Sequence, residues 1–218
     1  MDQRTDSWFA DRLGKVTASR VADVMARTKS GYSATRQNYM DQLVVERITG
    51  VREDSYQSAA MAFGTEQEPF ARALFENRYN LLVEEVGFLP HPTIPMCGAS
   101  PDGLIGTGTL IEIKVPGNTA FFNFVLAQAQ NPNDMNAGID AKYYAQMQLQ
   151  MACAGPERTS CFFVMFNPRL PEANQLAVTR VLRDDAFISE MEGEIKKFLA
   201  ELDDRVSKLQ SIFGVKNV

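Results

Sequence analysis

The chain has 218 residues, enough for one α/β domain with a substantial core. Hydrophobic residues are 45% and charged residues 22% of it, an ordinary globular balance, and no apolar run approaches the ~20 residues of a transmembrane helix. Three cysteines without CxxC spacing argue against zinc and disulfides, and one histidine, His91, excludes His-rich metal sites and argues against Ser-His-Asp chemistry.

Net charge is −5, which at first sight disfavours a polyanionic partner. The distribution says more. Residues 1–52 carry nine Lys/Arg against six Asp/Glu, and Arg12 to Arg36 contains six basic residues and one acid, Asp23. A basic N-terminal segment thus accompanies an acidic remainder. The first residues lack a basic-then-apolar signal pattern, so a cytosolic protein is the default expectation.

In chain order, residues 4–13 read as a short helix containing Trp8 and Phe9. Gly14 to Thr17 breaks it, and Thr17 is placed to cap a second helix through Met25. Lys29 to Ser33 reads as a polar loop. A third helix is expected over 35–49, stopped by Gly50. Residues 51–58 read as polar loop. Ala59 to Tyr79 is helical in pattern, with an interruption at Gly64, Thr65 as cap and Glu68 three residues on, and with Phe70, Leu74 and Phe75 as the buried face. Glu68 therefore has two open readings, a capping glutamate or a site carboxylate.

Leu81 to Pro90 and Ile94 to Ala99 read as strands, with His91 a loop residue between prolines. Residues 109–115 form a central strand. Asn118 to Gln130 is an amphipathic helix, and Lys142 to Ala154 a helix rich in glutamine. Ser160 to Asn167 is an apolar run with the look of a buried strand, and Gln175 to Leu182 alternates and pairs with it. Asp184-Asp185 opens a long helix to about Leu209, acids early and Lys208 late as the helix dipole favours. With no repeat and no linker, residues 1–218 read as one domain, a mixed sheet flanked by helices.

The chemistry concentrates between Ser100 and Lys114. Asp102 sits in a turn, between Pro101 and Gly103, and nine residues separate it from Glu112. Leu110 to Lys114 alternates at period two, which puts Glu112 and Lys114 on one face and Ile111 and Ile113 on the other. A hairpin then brings two carboxylates and an ammonium together. Adjacent carboxylates raise each other's pKa, a conflict that a hard divalent cation such as Mg²⁺ removes. The lysine is placed to steer or deprotonate a water. The bland alternative is an exposed, charged edge hairpin.

This Pro-Asp, Glu-x-Lys arrangement resembles the core motif of the PD-(D/E)XK nucleases. The chain as a whole resembles the phage lambda exonuclease family, the viral-type alkaline exonucleases, from Trp8 to about Ile212. The matching parts are Ser7-Trp8, Arg12-Leu13-Gly14, Thr17-Ala18-Ser19, Ala62-Phe63-Gly64 with Glu68, Ala73 to Glu76, Ser100 to Leu104, Glu112-Ile113-Lys114, Tyr144 to Gln148 and Asn167-Pro168-Arg169. The resemblance implies a restriction-endonuclease-like core of α/β (α+β) type with a central mixed sheet. It implies Asp102, Glu112, the carbonyl of Ile113 and Glu68 as ligands of two Mg²⁺ ions, with Mn²⁺ as a substitute, and Lys114 acting on the attacking water. It also implies a 5′-phosphate pocket of Arg12, Ser19, Ser100 and Gln146, against the alternatives of a surface salt bridge from Arg12 to Asp6 or Asp11 and a solvent-facing amide at Gln146.

Met61 occupies the family's place for an apolar wedge between terminal base pairs, and its helical spacing equally suits core. Trp8 is read as a core contact with some role towards DNA, where stacking on a base contributes ~1–3 kcal/mol. The activity implied is 5′→3′ digestion of one strand of linear double-stranded DNA, leaving a 3′ strand for an annealing protein. A homotrimeric ring, and a phage or prophage protein in the cytoplasm of a bacterial host, are implied with it. The competing readings are an endonuclease on the same fold and a non-catalytic module that binds DNA ends or a partner.

Overall fold

The computed structural model describes residues 3–53 and 58–214. Half of the polar loop expected over 51–58, residues 54–57, thus lies outside the described residues. Two main sheets, a two-stranded hairpin and seven α-helices organise the described chain, and the elements are numbered here in chain order.

The larger sheet has the order β6 (Gly103–Ile105), β7 (Thr109–Lys114), β8 (Ser160–Phe166), β9 (Leu176–Leu182). β6–β7 and β8–β9 are antiparallel pairs, while β7 and β8 run parallel. A parallel pair needs a crossover. Here it consists of two helices, α5 (Asn118–Gln130) and α6 (Ala141–Ala154). The alternation of β7 divides its side chains as its period dictates. Ile111 and Ile113 pack with Ala71 and Phe75 of α4 (Ala59–Tyr79), whereas Leu110 faces Phe121, Met147 and Met151 of α5 and α6. The sheet is therefore covered on both faces, and Glu112, on the Leu110 side, is directed at α6.

The smaller sheet joins β1 (Val16–Thr17) in parallel to β5 (Cys97–Ala99), with β4 (Leu89–Pro90) antiparallel on its other side. A third cluster lies under it, where α2 (Val21–Met25), α3 (Ala34–Thr49), α6 and α7 (Asp185–Phe213) bury Tyr39, Leu149, Met191 and Phe198 among others. Tyr39 and Phe198 stack at 5.7 Å between ring centroids.

Several expectations are corrected. α4 runs unbroken through Gly64. A helical glycine costs only about 1 kcal/mol, and the burial of Ala71 and Phe75 outweighs it. The cap is Ser58, whose hydroxyl accepts from the Met61 N–H at 3.2 Å, so Thr65 is interior and Glu68 is no capping residue. Phe70 is 62% exposed rather than buried. Lys29 to Ser33 is not simply loop: β2 (Arg27–Thr28) and β3 (Gly31–Tyr32) form a short hairpin. Leu81 to Pro90 supplies only β4 and one bridge, Glu84 to Leu104. That bridge needs Gly103, where a Cβ would meet Val83 Cγ1 at 2.2 Å. His91 is buried, its Nδ1 accepting from the N–H groups of Thr93 and Ile94 and its Nε2 facing Glu192 Oε1 at 3.2 Å.

Candidate active site

Three connections converge on one cavity of ≈ 430 Å³. The first is the hairpin. Asp102 stands in the bend just before the first strand, β6, at the open end of the hairpin, and its Oδ2 accepts from the Ile113 N–H at 2.6 Å. One residue before that N–H is Glu112, 1% exposed. Its Oε1 accepts from Lys114 Nζ and from Gln146 Nε2, the latter at 2.6 Å, and its Oε2 accepts from Gln150 Nε2 at 2.6 Å.

The second connection is α6, which Asp140 caps by accepting from the Lys142 N–H at 3.0 Å. Gln146 and Gln150 are four apart and so share a helix face. Gln148 lies off that face and is used structurally, donating to the Leu182 carbonyl and accepting from the Asp184 N–H, both at 2.8 Å. Tyr143, one turn before Gln146, lies beneath Lys114, whose Nζ is 4.9 Å from the ring centroid.

The third is the parallel β1–β5 pair, which sets the residues after β1 beside those after β5. Ser19 and Ser100 are thereby brought within reach of Arg12, at the end of α1 (Asp6–Arg12). Gly14, at φ +66°, makes the turn from α1 into β1, with no room for a Cβ against Arg47 Cγ at 2.8 Å. Arg12 donates to Ser100 Oγ at 3.2 Å and to Ser19 Oγ at 3.5 Å, and Trp8 Nε1 donates to Ser100 Oγ at 2.9 Å. The guanidinium lies over the Trp8 ring, 4.2 Å from its centroid. Burial lowers the Arg12 pKa to about 10, with Arg52 adding to the effect and Tyr39 and Glu46 opposing it, so Arg12 stays cationic at neutral pH.

Every site residue expected from the sequence lines this cavity: Trp8, Arg12, Ser19, Met61, Glu68, Ser100, Asp102, Glu112, Ile113, Lys114 and Gln146. Met61 is 56% exposed, so it is not core. It stands on the wall shared with a second cavity of ≈ 300 Å³. Arg12 makes no ion pair with Asp6 or Asp11 among the described contacts, and Gln146 is buried rather than solvent-facing. Arg4, Tyr143 and Gln150 also line the cavity and were not anticipated. Helical spacing from Gln146 was available as a signal for Tyr143 and Gln150, while nothing periodic marks Arg4.

The electrostatics are those of a buried acid cluster in which Glu112 and Glu68 are ion-paired and Asp102, among the described contacts, accepts only from a backbone N–H. Burial, then Glu112, then Glu68 push the Asp102 pKa well above the usual carboxylate range, with Lys114 and the Ile113 N–H opposing. Burial pulls the Lys114 ammonium down, but Glu112 and Asp102 outweigh it and its pKa is raised. Glu68, on α4, is paired with Arg72 Nη2 at 3.0 Å and with Arg4. No three of the described His, Cys, Asp or Glu side chains form a ready-made ligand cluster; Glu68 and Glu112 are engaged by protein cations and amides instead. The donors themselves are hard oxygens, and the raised proton affinity of Asp102 marks a place where added positive charge lowers the energy. The set fits a hard divalent cation that displaces the side-chain cations.

A sequence profile of the YqaJ-like viral recombinase domain matches residues 7–157. Among solved structures, an alkaline exonuclease (LHK-Exo) from Laribacter hongkongensis is similar at 46% identity and TM-score 0.83, over 96% of this chain and 98% of that one. LHK-Exo in complex with dAMP matches at 47% identity with the same TM-score and coverage. A phage related exonuclease from Haemophilus somnus 129PT has a TM-score of 0.71 at 14% identity, over 89% of this chain and 96% of that one, a likeness of fold alone. No curated protein matches the chain.

Proposed function

From the premise that this chain belongs to the YqaJ-like viral recombinase domain family, with the restriction-endonuclease-like fold of the alkaline exonucleases, we propose a Mg²⁺-dependent 5′→3′ exonuclease acting on linear duplex DNA. It digests the strand that ends in a 5′-phosphate, releases mononucleotides and leaves a 3′ single strand for a strand-annealing protein. The dAMP held by LHK-Exo is of the product class of such a reaction. The place of work is the cytoplasm of a bacterial host, for a phage or prophage protein.

The observation that supports this reading is a single cavity lined by both an acid–lysine group and a cation–hydroxyl group. A guanidinium flanked by two serine hydroxyls is a suitable clamp for a terminal phosphate. Arg12 carries the charge, and Ser19 and Ser100 supply donors once their hydroxyls turn to the ligand. Trp8 keeps Ser100 and the guanidinium in place from one side. Asp102, Glu112, Glu68 and the Ile113 carbonyl are the residues to hold two Mg²⁺ ions, or Mn²⁺ in their stead. When bound, such ions supply Lewis-acid stabilisation of the attacking and leaving oxygens in an in-line displacement.

Lys114 in its paired state is protonated and so cannot act as a base. Its first task is to orient the water by donating to it. Deprotonating that water requires a lower lysine pKa, which neutralisation of Glu112 and Asp102 brings about. Gln146 has a second amide hydrogen besides the one given to Glu112, and this one is available to a phosphate oxygen. Exposed Met61, between the two cavities, has the chemistry of a wedge, since apolar side chains unstack bases at a few kcal/mol per step.

The test uses 5′-phosphorylated linear duplex and closed-circular duplex of the same sequence, each with Mg²⁺ or with chelator. Mononucleotides should appear from the linear substrate alone, and only with Mg²⁺. Cutting of the circle would establish the endonuclease reading, and tight binding without cleavage the non-catalytic one.

A further inference from the structure

Among the described residues, the buried side-chain polar atoms without a hydrogen-bond partner are four arginine nitrogens, on Arg36, Arg47, Arg72 and Arg158, and one acceptor, Gln150 Oε1. Buried side-chain acceptors are nearly always satisfied, so an exception calls for an explanation. Gln150 is 0% exposed, and it lines the cavity that holds the acid cluster. Its orientation is fixed by chemistry. Its neighbour at 2.6 Å is Glu112 Oε2, and an ionised carboxylate only accepts, so the amide nitrogen must face Glu112. The carbonyl oxygen is left without a donor.

Glu112 is thus held at both oxygens by one helix face, Oε1 by Gln146 and Oε2 by Gln150. The two amides are not equivalent. Gln146 accompanies Lys114 on Oε1, whereas Gln150 alone among the described residues holds Oε2. A Gln146 that turns its amide towards a phosphate leaves Gln150 to fix the carboxylate rotamer. The unpartnered Oε1 needs a donor, and the protein provides none there. A hard divalent cation provides several, because Mg²⁺ dehydrates reluctantly and keeps waters that can donate only.

We propose that Gln150 is a positioning residue for the cation at Glu112: its Nε2 fixes the liganding carboxylate, and its Oε1 accepts a hydrogen bond from a water in the cation's hydration shell. The inference rests on the reading of Asp102 and Glu112 as cation ligands. It assigns a role to the second member of the Gln146/Gln150 pair, which the phosphate clamp does not use.

The experiment is calorimetric titration of the full, DNA-free chain with Mg²⁺ and with Mn²⁺, for wild type, Gln150→Met, Gln150→Asn and Asp102→Ala. Methionine keeps the length and removes both polar atoms; asparagine keeps the amide and is one methylene too short to reach Glu112. Loss of a partner that orients a ligand weakens cation binding by about 10- to 100-fold, and both Gln150 variants should show this. Raising Mg²⁺ should restore digestion by Gln150→Met and not by Asp102→Ala, while duplex affinity measured in Ca²⁺ stays at the wild-type value. A role confined to folding predicts a lower melting temperature with an unchanged Mg²⁺ midpoint, and that result overturns the proposal. If Asp102→Ala binds cations as wild type does, the ligand assignment itself fails and the role of Gln150 with it. If Asp102→Ala loses the cation while both Gln150 variants retain wild-type affinity, only the role of Gln150 is wrong.

Discussion

In the function proposed above, Arg12 is the residue on which recognition of the DNA end turns. Its guanidinium already contacts both serines and is stacked on Trp8, so a phosphate meets a preformed donor set. A charge-assisted contact of this kind contributes ~1.5–3 kcal/mol, roughly ten- to hundredfold in rate if it is felt in the transition state. Wild type should therefore digest a 5′-phosphorylated end faster than a 5′-hydroxyl end by about that factor. Arg12→Ala should lose most of the difference by slowing the phosphorylated substrate. Single-turnover digestion of both substrates by both proteins decides it, and a mutant with the full wild-type preference moves the phosphate site elsewhere. The residues of this half were legible because they lie in short motifs that the chain shares with a known family. Gln150 and Tyr143 were not, since their significance depends on which face of α6 meets β7. Arg4 reaches Glu68 across 64 positions of sequence, a contact with no local signature.

At the scale of elements, the basic N-terminal segment has a use that charge counting did not reveal. Much of it is paired with the acidic helix α7. Arg27 bonds Glu194 at 2.8 Å, Arg36 bonds both carboxylate oxygens of Glu201 at 2.8 and 3.0 Å, and Arg47 pairs with Asp203. Tyr32, in the hairpin that the sequence hid, adds its hydroxyl to Glu194 at 2.9 Å. The Glu194 pKa is pulled from its ordinary 4.5 to about 2, most by Lys197, then by Tyr32 and Arg27, against the opposing effect of burial. The folded value lies below the unfolded one, so the stabilisation is complete above the unfolded pKa and is lost as pH falls through about 2. Arg27 and Lys197 are more than half exposed, which screens the effect to about 1 kcal/mol. Urea unfolding at a series of pH values should show wild type losing about that much more than Glu194→Gln between roughly pH 5 and 2. Equal slopes would mean that the pairing does not bear on stability. The capped helices α3, α6 and α7, and the apolar-patterned α5, were readable to within a few residues. The two-residue strands β1 to β4 were not, because pieces that short carry no period and owe their existence to their partners.

For the whole molecule the remaining question is assembly. The alternation of β7 and the apolar run of β8 announced a mixed sheet flanked by helices, and the structure has it. Neither period nor composition reports how many copies act together. A relevant feature of the described surface lies on α5. Phe122, Val125 and Leu126 on α5, with Met135 just beyond it, are large apolar side chains left at least 38% exposed. Clustered exposure of this kind marks contact surfaces more often than bare solvent faces. The family resemblance supplies the expectation of three copies closed around DNA. A ring of that kind keeps the enzyme on its substrate between cuts, because the duplex must leave through the channel rather than by dissociating from one open cleft. Light scattering should then give a mass near three times that of the 24.3 kDa chain. Dilution into the micromolar range should leave the mass unchanged, and a Leu126→Glu variant should lower it if α5 lies at the contact. A wild-type monomer at micromolar concentration would remove the ring. Digestion would then be distributive, with the products of each encounter shortened by a few nucleotides rather than by long tracts.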